Sequence, residues 1–417
     1  MNISLLTPTA HATTGGRRPA RAVGVLAASL ALLGLTACST TEDAAAPAAK
    51  DSEAAVRVVA TTTQICDYVT QIISGAETAP AEGGATPLRL HKTAADGTTS
   101  DSGASAADAS VVDLTCVLAP NASAHDHELT RAQMKAFSDA DLLLVNGVDL
   151  EHFLDAGIEA SGFHGTLGVT TGVLGAADKD DLEGEKTKEA SLPYTVDRGT
   201  KTIDVAPWPF PPEDGETQAE FRFDPHVWTS PKNAAIQVSN IGGFLGTADP
   251  DHKAAYTAAA GAYAAQLDSL ATWAQAAFDS VPVEHRVLFT SHDAFGYLSK
   301  DFGVKFIGAA LSDFNSQQDA TAEHIAEAAK TVKDSGAVAI FAENSTNPKS
   351  LEAVGKNADV RVISGEDALY GDSLGPAGTE GETYIGSIIH NVRQLVTAWG
   401  GTPPALPADL QAADPAK

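Results

Sequence analysis

The sequence contains few basic residues, and the excess of acidic charge limits the kinds of partner it can have. Its 27 lysines and arginines are outnumbered by 54 acidic residues, so the formal net charge at pH 7 is −27. Because a nucleic-acid-binding face needs concentrated positive charge, this balance argues against nucleic acid as a partner. An acidic surface favours solubility and weakly gathers cations, but the charge alone predicts no particular site.

The chain also lacks the short motifs of several large enzyme classes. It has no Gly-x-Ser-x-Gly, no Walker loop and no Gly-x-Gly-x-x-Gly, so no motif indicates a covalent nucleophile or a nucleotide phosphate site. The His-Glu-x-x-His pattern of helix-borne metalloprotease sites is absent as well. The chemistry must therefore be sought among histidines and carboxylates outside these motifs.

The N-terminus has the features of a bacterial export signal. Three arginines at positions 17, 18 and 21 precede an apolar run over residues 23–35, which is too short for a comfortable membrane span. The run ends in Leu-Thr-Ala-Cys, which resembles a lipobox, the signal in which the cysteine becomes the lipidated first residue of the mature protein. We expect a signal peptide over residues 1–37, a lipid on Cys38 and a flexible tether over residues 38–55. The alternative is an ordinary signal peptide with a chance cysteine.

Cysteine is rare in the rest of the chain, where only Cys66 and Cys116 remain. An exported protein meets an oxidising compartment, so we favour a disulfide between them. Two buried thiols are the alternative. A zinc site built on these cysteines is less favoured, because neither has a partner nearby at ligand spacing.

Short apolar segments alternate with helical patterns along most of the chain. This alternation predicts an α/β fold with mostly parallel sheets. Strands are predicted at residues 56–60, 111–118, 141–145, 286–290, 304–307, 337–341 and 360–363. Helices are predicted at residues 62–73, 151–160, 294–300, 321–332 and 382–399.

A long helical pattern divides this alternation into two parts. Asp249-Pro250 is a favourable helix start, and apolar residues then recur at helical spacing to about residue 280. We predict two Rossmann-like α/β lobes, over residues 56–248 and 282–417, joined by this helix over residues 249–281. One long crossover helix inside a single domain is the alternative. Two segments interrupt the first lobe. The one near residues 77–110 has little periodicity and is expected to be a surface insertion, and the one near residues 176–220, charged first and proline-rich later, is expected to be a second long loop.

Histidines and an aspartate follow predicted strands in both lobes. His125 and His226 belong to the first lobe, and His292 and Asp372 belong to the second. Ser230-Pro231, a typical helix start, follows His226 closely and is expected to hold it in a short turn. Since ligands bind outside the carboxyl ends of strands in open parallel sheets, the four side chains are expected to converge in the cleft between the lobes. Three imidazoles and one carboxylate make a plausible tetrahedral zinc shell.

Four stretches around these residues resemble the metal-specific solute-binding proteins of bacterial ABC transporters, the cluster that takes up zinc or manganese. The resemblance rests on the order of the four stretches and their spacing around the long helix, and it extends from Val56 to about Trp399. The stretches are AHDHELT at 124–130, DPHVW at 224–228, HDAFGY at 292–297 and YGDSLG at 370–375.

The resemblance implies a function in metal capture rather than catalysis. It implies that His125, His226, His292 and Asp372 bind one ion, and that the loaded protein, as a monomer, delivers it to an ABC permease. Three nitrogen donors favour Zn²⁺ over Mn²⁺, which prefers oxygen, so manganese is the alternative. An adhesin function, linked with some lipoproteins of the family, would be an addition to metal binding. A zinc-dependent hydrolase is the alternative from another class.

Three further residues are candidates for supporting the site. His127 stands where the family usually has tyrosine, so it could be an alternative ligand or a gate, or simply face outward. Glu128 is a candidate for holding a ligand in place. Glu343 resembles a supporting position of the family, although a helix-capping region is an equally good interpretation. The chain lacks the long His-rich loop that many zinc members carry.

Overall fold

The structure, a computed structural model, describes residues 56–78, 86–105, 109–209, 219, 221–310 and 321–414. The predicted signal peptide, Cys38 and the predicted tether lie outside these ranges. Within the described ranges, no helix combines the length and the apolar character needed to cross a membrane.

The first lobe is built around a seven-stranded sheet. Neighbouring strands are parallel except for the pair β2 and β3, and the spatial order is β3–β2–β4–β1–β5–β6–β7. Central strands are buried on both faces, as in other parallel sheets, and β5 is a continuous apolar run. The strands are β1 (Val56–Ala60), β2 (Leu88–Thr93), β3 (Thr99–Gly103), β4 (Ser110–Cys116), β5 (Leu142–Val145), β6 (Thr166–Val169) and β7 (Thr195–Asp197).

Within the described residues of the first lobe, five helices accompany this sheet, and several of their starts follow the capping rules. The Ser230 hydroxyl accepts the backbone N–H of Asn233 and Pro231 occupies the first position of its helix, as the sequence predicted. Thr130 and Gln133 form a capping box at another helix start. The helices are α1 (Thr63–Glu77), α2 (Arg131–Asp139), α3 (Leu154–Ser161), α4 (Ala176–Glu189) and α5 (Pro231–Ala248).

The predicted surface insertion near residues 77–110 is wrong in its expected lack of regular structure, as far as the structure describes it. The segment contributes β2 and β3, which form an antiparallel hairpin that extends the sheet beyond β4. In β2, Leu88 and Leu90 are buried, whereas Arg89 and His91, which alternate with them along the strand, are partly exposed. Such alternation is typical of a half-buried strand. It was not recognised in the sequence because it is short and is flanked by glycine-, alanine- and threonine-rich sequence.

The expectation of a loop near residues 176–220 is also wrong in part, because the segment contains α4 and β7. No residue of α4 is buried, so this helix has no apolar stripe for a sequence pattern to detect. Ion pairs from Arg198 to Asp178 and Glu189 hold it instead. Just beyond the segment, Phe223 forms an isolated bridge with Pro207.

The long helix α6 (Lys253–Phe278) follows a short 3-10 turn at Pro250–His252. It packs against α1 and α5 of the first lobe and against α10 (Tyr384–Ala398) of the second. Tyr263, Leu267 and Leu270 are among its buried residues. The helix therefore contacts both lobes along its length.

The second lobe has a smaller sheet in which all paired strands are parallel, with the order β11–β10–β8–β9. Together the two lobes confirm the predicted α/β fold with mostly parallel sheets. The strands are β8 (Val287–Thr290), β9 (Lys305–Ala309), β10 (Ala339–Phe341) and β11 (Arg361–Ile363). The remaining helices are α7 (Gly296–Phe302), α8 (Ala322–Ser335) and α9 (Lys349–Ala358).

Cys66 and Cys116 form a disulfide that ties α1 to the end of β4 across a sequence separation of 50 residues. Both cysteines are buried. The cross-link joins two elements whose ends lead into the cleft. It therefore restrains the first-lobe framework on which His125 is carried.

Candidate metal centre

Four side chains from four different loops meet at one place between the lobes. His125 follows β4, His226 immediately precedes the short 3-10 turn that leads into α5, His292 follows β8, and Asp372 lies between β11 and α10. Each offers one ligating atom, and these atoms all lie within 4.8 Å of one another. All four residues are buried, with at most 4% of their surface exposed.

The spacing of the ligating atoms fits one small cation. The Nε2 atoms of His125 and His226 are 3.1 Å apart. Asp372 Oδ2 lies 3.5 Å from Nε2 of His125, and Asp372 Oδ1 lies 3.5 Å from Nε2 of His226 and 3.3 Å from Nε2 of His292. Donors around a tetrahedral Zn²⁺ at about 2.0 Å would be roughly 3.3 Å apart. The residues present therefore fit a four-coordinate ion, since the four measured pairs are close to this spacing and every pair of ligating atoms lies within 4.8 Å.

Buried carboxylates hold two of the three imidazoles from behind. Asp224 Oδ1 is 2.8 Å from Nδ1 of His226 and also accepts the His226 backbone N–H. Glu343 does the same for His292, with Oε2 2.8 Å from Nδ1 and Oε1 accepting the backbone N–H. Such contacts place the proton on Nδ1 and aim Nε2 at the centre of the cluster, which also makes Nε2 a better ligand.

Sequence reasoning singled out Glu343 but missed Asp224. The signal was present, because Asp224 lies two residues before His226 in the DPHVW stretch. A carboxylate at that spacing can reach both the backbone N–H and the imidazole of the histidine, as it does here. The tight turn that contains Pro225 is what brings these groups together.

The other two predicted supporting residues lie elsewhere. His127 is half-buried, with Nε2 3.2 Å from Oε1 of Gln133, and its ring packs edge-on against Phe153. Glu128 is exposed and makes no hydrogen bond or ion pair with any residue that the structure describes. Neither side chain belongs to the group of four ligating atoms.

Burial and charge set different protonation states within the cluster. Burial lowers the pKa of His125 to about 4, against a smaller opposing effect of Asp372. Burial also lowers the pKa of His292, but Asp372 and Glu343 outweigh it and raise that pKa well above its usual range. The Asp372 pKa is well below its usual range, because His292 and His125 outweigh the penalty of burial. At pH 7 the site thus holds a neutral His125, a protonated His292 and an ionised Asp372.

Aromatic rings cover the first-lobe side of the cluster. Phe221 is buried with its ring centroid 5.8 Å from that of His125, and Trp208 lies 6.1 Å from His226. The exposed His152 stacks on Phe221 at 5.5 Å. An apolar cover of this kind limits solvent access and strengthens electrostatic interactions within the cluster.

Comparison with known proteins gives consistent family matches. Residues 103–398 match the model of the family described as zinc-uptake complex component A, periplasmic. The zinc-binding protein TroA of Treponema pallidum is 28% identical over 289 residues, covering 69% of this chain and 82% of that protein. The manganese-binding lipoprotein MntA of Halalkalibacterium halodurans is 29% identical over 273 residues, covering 66% of this chain and 76% of that protein.

A solved structure shares the fold over most of the chain. The structure of the periplasmic zinc-binding protein TroA from Treponema pallidum aligns with a TM-score of 0.55 and 26% identity. The alignment covers 82% of this chain and 98% of the TroA chain. The two-lobed architecture described above is therefore common to both proteins.

Proposed function

The chain belongs to the family of the periplasmic zinc-uptake complex component A, and on this premise we propose that it captures Zn²⁺ outside the cytoplasm for delivery to an ABC permease. Members of the family are metal-binding, substrate-binding proteins of ABC transporters. The metal ion is thus cargo and not a catalytic cofactor, and the protein is a binding protein rather than an enzyme.

One observation carries the proposal: three imidazole nitrogens and one carboxylate converge, buried, at spacings suited to a tetrahedral ion. We propose that His125, His226, His292 and Asp372 are the ligands. Asp224 and Glu343 would hold two of the imidazoles in the orientation that the ion requires. Burial of the whole set would exclude water and favour retention of the ion until delivery.

The donor set supports zinc over manganese. Imidazole nitrogen suits zinc, whereas manganese is better served by carboxylate, carbonyl and water oxygens. TroA is named as a zinc-binding protein, but MntA is named as a manganese-binding one, so the names of relatives do not separate the two metals. The nitrogen-rich cluster of this chain is the reason for preferring zinc.

Titration of the metal-stripped protein with Zn²⁺ and with Mn²⁺ tests this function. We expect one tight site per chain for zinc and weaker binding for manganese, without turnover of any added ester or peptide substrate. Tighter binding of manganese than of zinc would contradict the choice of metal. Failure to bind either ion would contradict the proposed function itself.

Delivery and anchoring complete the proposal. MntA is named as a lipoprotein, which supports a lipid on Cys38 and a position on the outer face of the cytoplasmic membrane. The test is growth in zinc-depleted medium. Cells that lack the protein should grow poorly and recover with the parent gene, but not with a Cys38→Ala version that is exported and released. Full recovery with that version would contradict the need for an anchor.

A further inference from the structure

The loop that carries Asp372 belongs to the second lobe, yet buried first-lobe side chains hold its backbone. Gln64, the second residue of α1, donates from Nε2 to the carbonyl of Asp372 at 3.0 Å. Thr63, the first residue of α1, accepts the backbone N–H of Leu374 at 2.8 Å. These partners lie 308 and 311 residues apart along the chain, so the contacts are between the lobes.

The two α1 residues act as one unit. The Thr63 hydroxyl donates to Oε1 of Gln64 at 3.2 Å, which leaves the Gln64 amide nitrogen facing Asp372. Thr63 is 8% exposed and Gln64 is 2% exposed. Buried polar groups are nearly always paired by hydrogen bonds, and here the partners are two backbone groups that follow the Cα of Asp372, its own carbonyl and the N–H of Leu374.

Further first-lobe groups bind the same loop. Trp228 donates from Nε1 to the carbonyl of Gly371 at 2.9 Å, and the backbone N–H of Asn121 donates to the carbonyl of Leu374 at 3.1 Å. The Trp228 ring also packs edge-on against His226, with the centroids 5.4 Å apart. Trp228 therefore contacts both the loop that carries Asp372 and the imidazole of His226, another residue of the cluster.

Side chains of the second lobe contact the loop that carries Asp372 from the opposite side. Asn344 accepts the backbone N–H of Gly371 and donates to the carbonyl of Ser373. A Cβ atom at position 371 would collide with the carboxylate of Glu343, so any other residue there would have to displace this carboxylate. Because Glu343 also holds His292, the backbone beside Asp372 packs directly on the support of a neighbouring ligand.

We infer that Thr63 and Gln64 are positioning residues for metal binding: they set the orientation of Asp372 and place this fourth ligand only when the two lobes are in contact. The inference rests on the proposed function, since it concerns the same four-residue site. It adds that the start of α1, which contributes no ligand, determines part of the affinity. Capture of the ion and contact between the lobes would then be coupled through this loop.

Substitutions that remove one hydrogen-bonding group at nearly constant volume provide the test. Thr63→Val removes the acceptor for Leu374, and Gln64→Met removes the donor to Asp372. In metal-stripped full-length protein, each should weaken Zn²⁺ binding by about 10- to 100-fold, the usual effect of losing a group that orients a ligand. Thr63→Ser keeps the hydroxyl and should bind zinc like the parent.

Thr70→Val is the matched control. It is the same chemical change on the same helix, but the Thr70 hydroxyl donates to the carbonyl of Cys66 and not to the Asp372 loop. It should leave zinc affinity unchanged, whatever its effect on the melting temperature.

Two readouts separate positioning of Asp372 from a merely structural effect. In an Asp372→Ala background, Thr63→Val and Gln64→Met should weaken zinc binding no further, because the ligand they orient is gone. The visible absorption of bound Co²⁺, which reports the coordination of the ion, should shift in both single variants towards that of Asp372→Ala.

The outcomes distinguish this inference from the proposed function. A parent that binds no zinc overturns both. Two results overturn the positioning inference alone, provided that the parent binds zinc. Either Thr63→Val and Gln64→Met bind zinc as tightly as the parent, or they weaken binding just as much when Asp372 has already been removed. If Thr63→Val does not fold, Gln64→Met and Thr63→Ser decide the matter by the same measurements.

Discussion

The two lobes contribute two members each to the cluster, but one histidine of the first lobe and the histidine of the second differ in protonation. In the first-lobe half, burial lowers the pKa of His125 to about 4, so its imidazole is neutral and ready to bind an ion at pH 7. In the second-lobe half, Asp372 and Glu343 keep His292 protonated despite its burial. His125 and His292 are equally buried, yet their pKa values shift in opposite directions, because His292 is adjacent to two carboxylates and His125 to one.

This comparison suggests that His125 and His292 bind an ion in different ways. Under the proposed function, neutral His125 can accept an ion directly, whereas His292 must first release a proton. Until then, the proton on His292 is balanced by Asp372, with an oxygen 3.3 Å from Nε2. Under the proposed function, an ion of higher charge would replace the proton on Nε2 of His292, and the carboxylates that hold the proton would also attract the ion.

The largest effect is expected from removing a member of either half. His125→Ala and His292→Ala should each weaken zinc binding by more than the about 100-fold upper limit typical of residues that only orient ligands. Isothermal titration of the stripped variants measures this, with the exposed His285→Ala as the control for loss of a histidine. Parent-like binding by His292→Ala would remove the second-lobe half from the site.

The pH dependence should come mainly from the second-lobe half. The raised pKa of His292 means that zinc displaces a proton at pH 7, so affinity should fall by about tenfold per unit as the pH decreases below neutrality. His125, with a pKa of about 4, should add a second proton only near that pH. Calorimetry at pH 7 in buffers of different ionisation enthalpy should show about one proton released per ion. Binding without proton release would contradict the protonated state of His292.

A smaller effect should distinguish the two carboxylates that support histidines. Glu343→Gln and Asp224→Asn keep an oxygen that can accept from Nδ1–H, so each should weaken zinc binding by only about 10-fold. Glu343→Gln should also reduce the proton release on binding, because it removes one of the charges that raise the pKa of His292. Asp224→Asn should leave the proton release unchanged. If both variants release the same number of protons on binding zinc, Glu343 does not have the particular effect on His292 that this comparison assigns to it.

No effect on affinity is expected from the two residues beside His125 in sequence. His127→Ala and Glu128→Gln should retain one zinc site of parental affinity, because His127 bonds to Gln133 and Glu128 is exposed. Loss of affinity in His127→Ala would instead support its action as an alternative ligand. Competition with a zinc-binding dye is sensitive enough to decide between these results.

The sequence predicted the parts of the site that depend on strand order. His125, His226, His292 and Asp372 were predicted from their positions after strands together with the family resemblance of the four stretches that contain them, and the structure brings these four together. Helix starts such as Ser230-Pro231 were found because capping is local.

What escaped the sequence depends on contacts between distant residues or on patterns too weak to detect. Gln64 meets Asp372 across 308 residues of chain, and nothing near either residue indicates the contact. The β2–β3 hairpin shows only one short alternation, and α4 has no buried face. Asp224 differs from these, because its spacing from His226 was a local signal that could have been used.

The central claim is that three imidazoles and one carboxylate, two from each lobe, hold a single ion. X-ray absorption spectroscopy of the zinc-loaded protein tests it most directly. The account predicts a first shell of nitrogen and oxygen donors at about 2.0 Å, with outer-shell scattering from three imidazole rings that falls to two in His292→Ala. Scattering from fewer than three rings in the parent, or no change in His292→Ala, would contradict it.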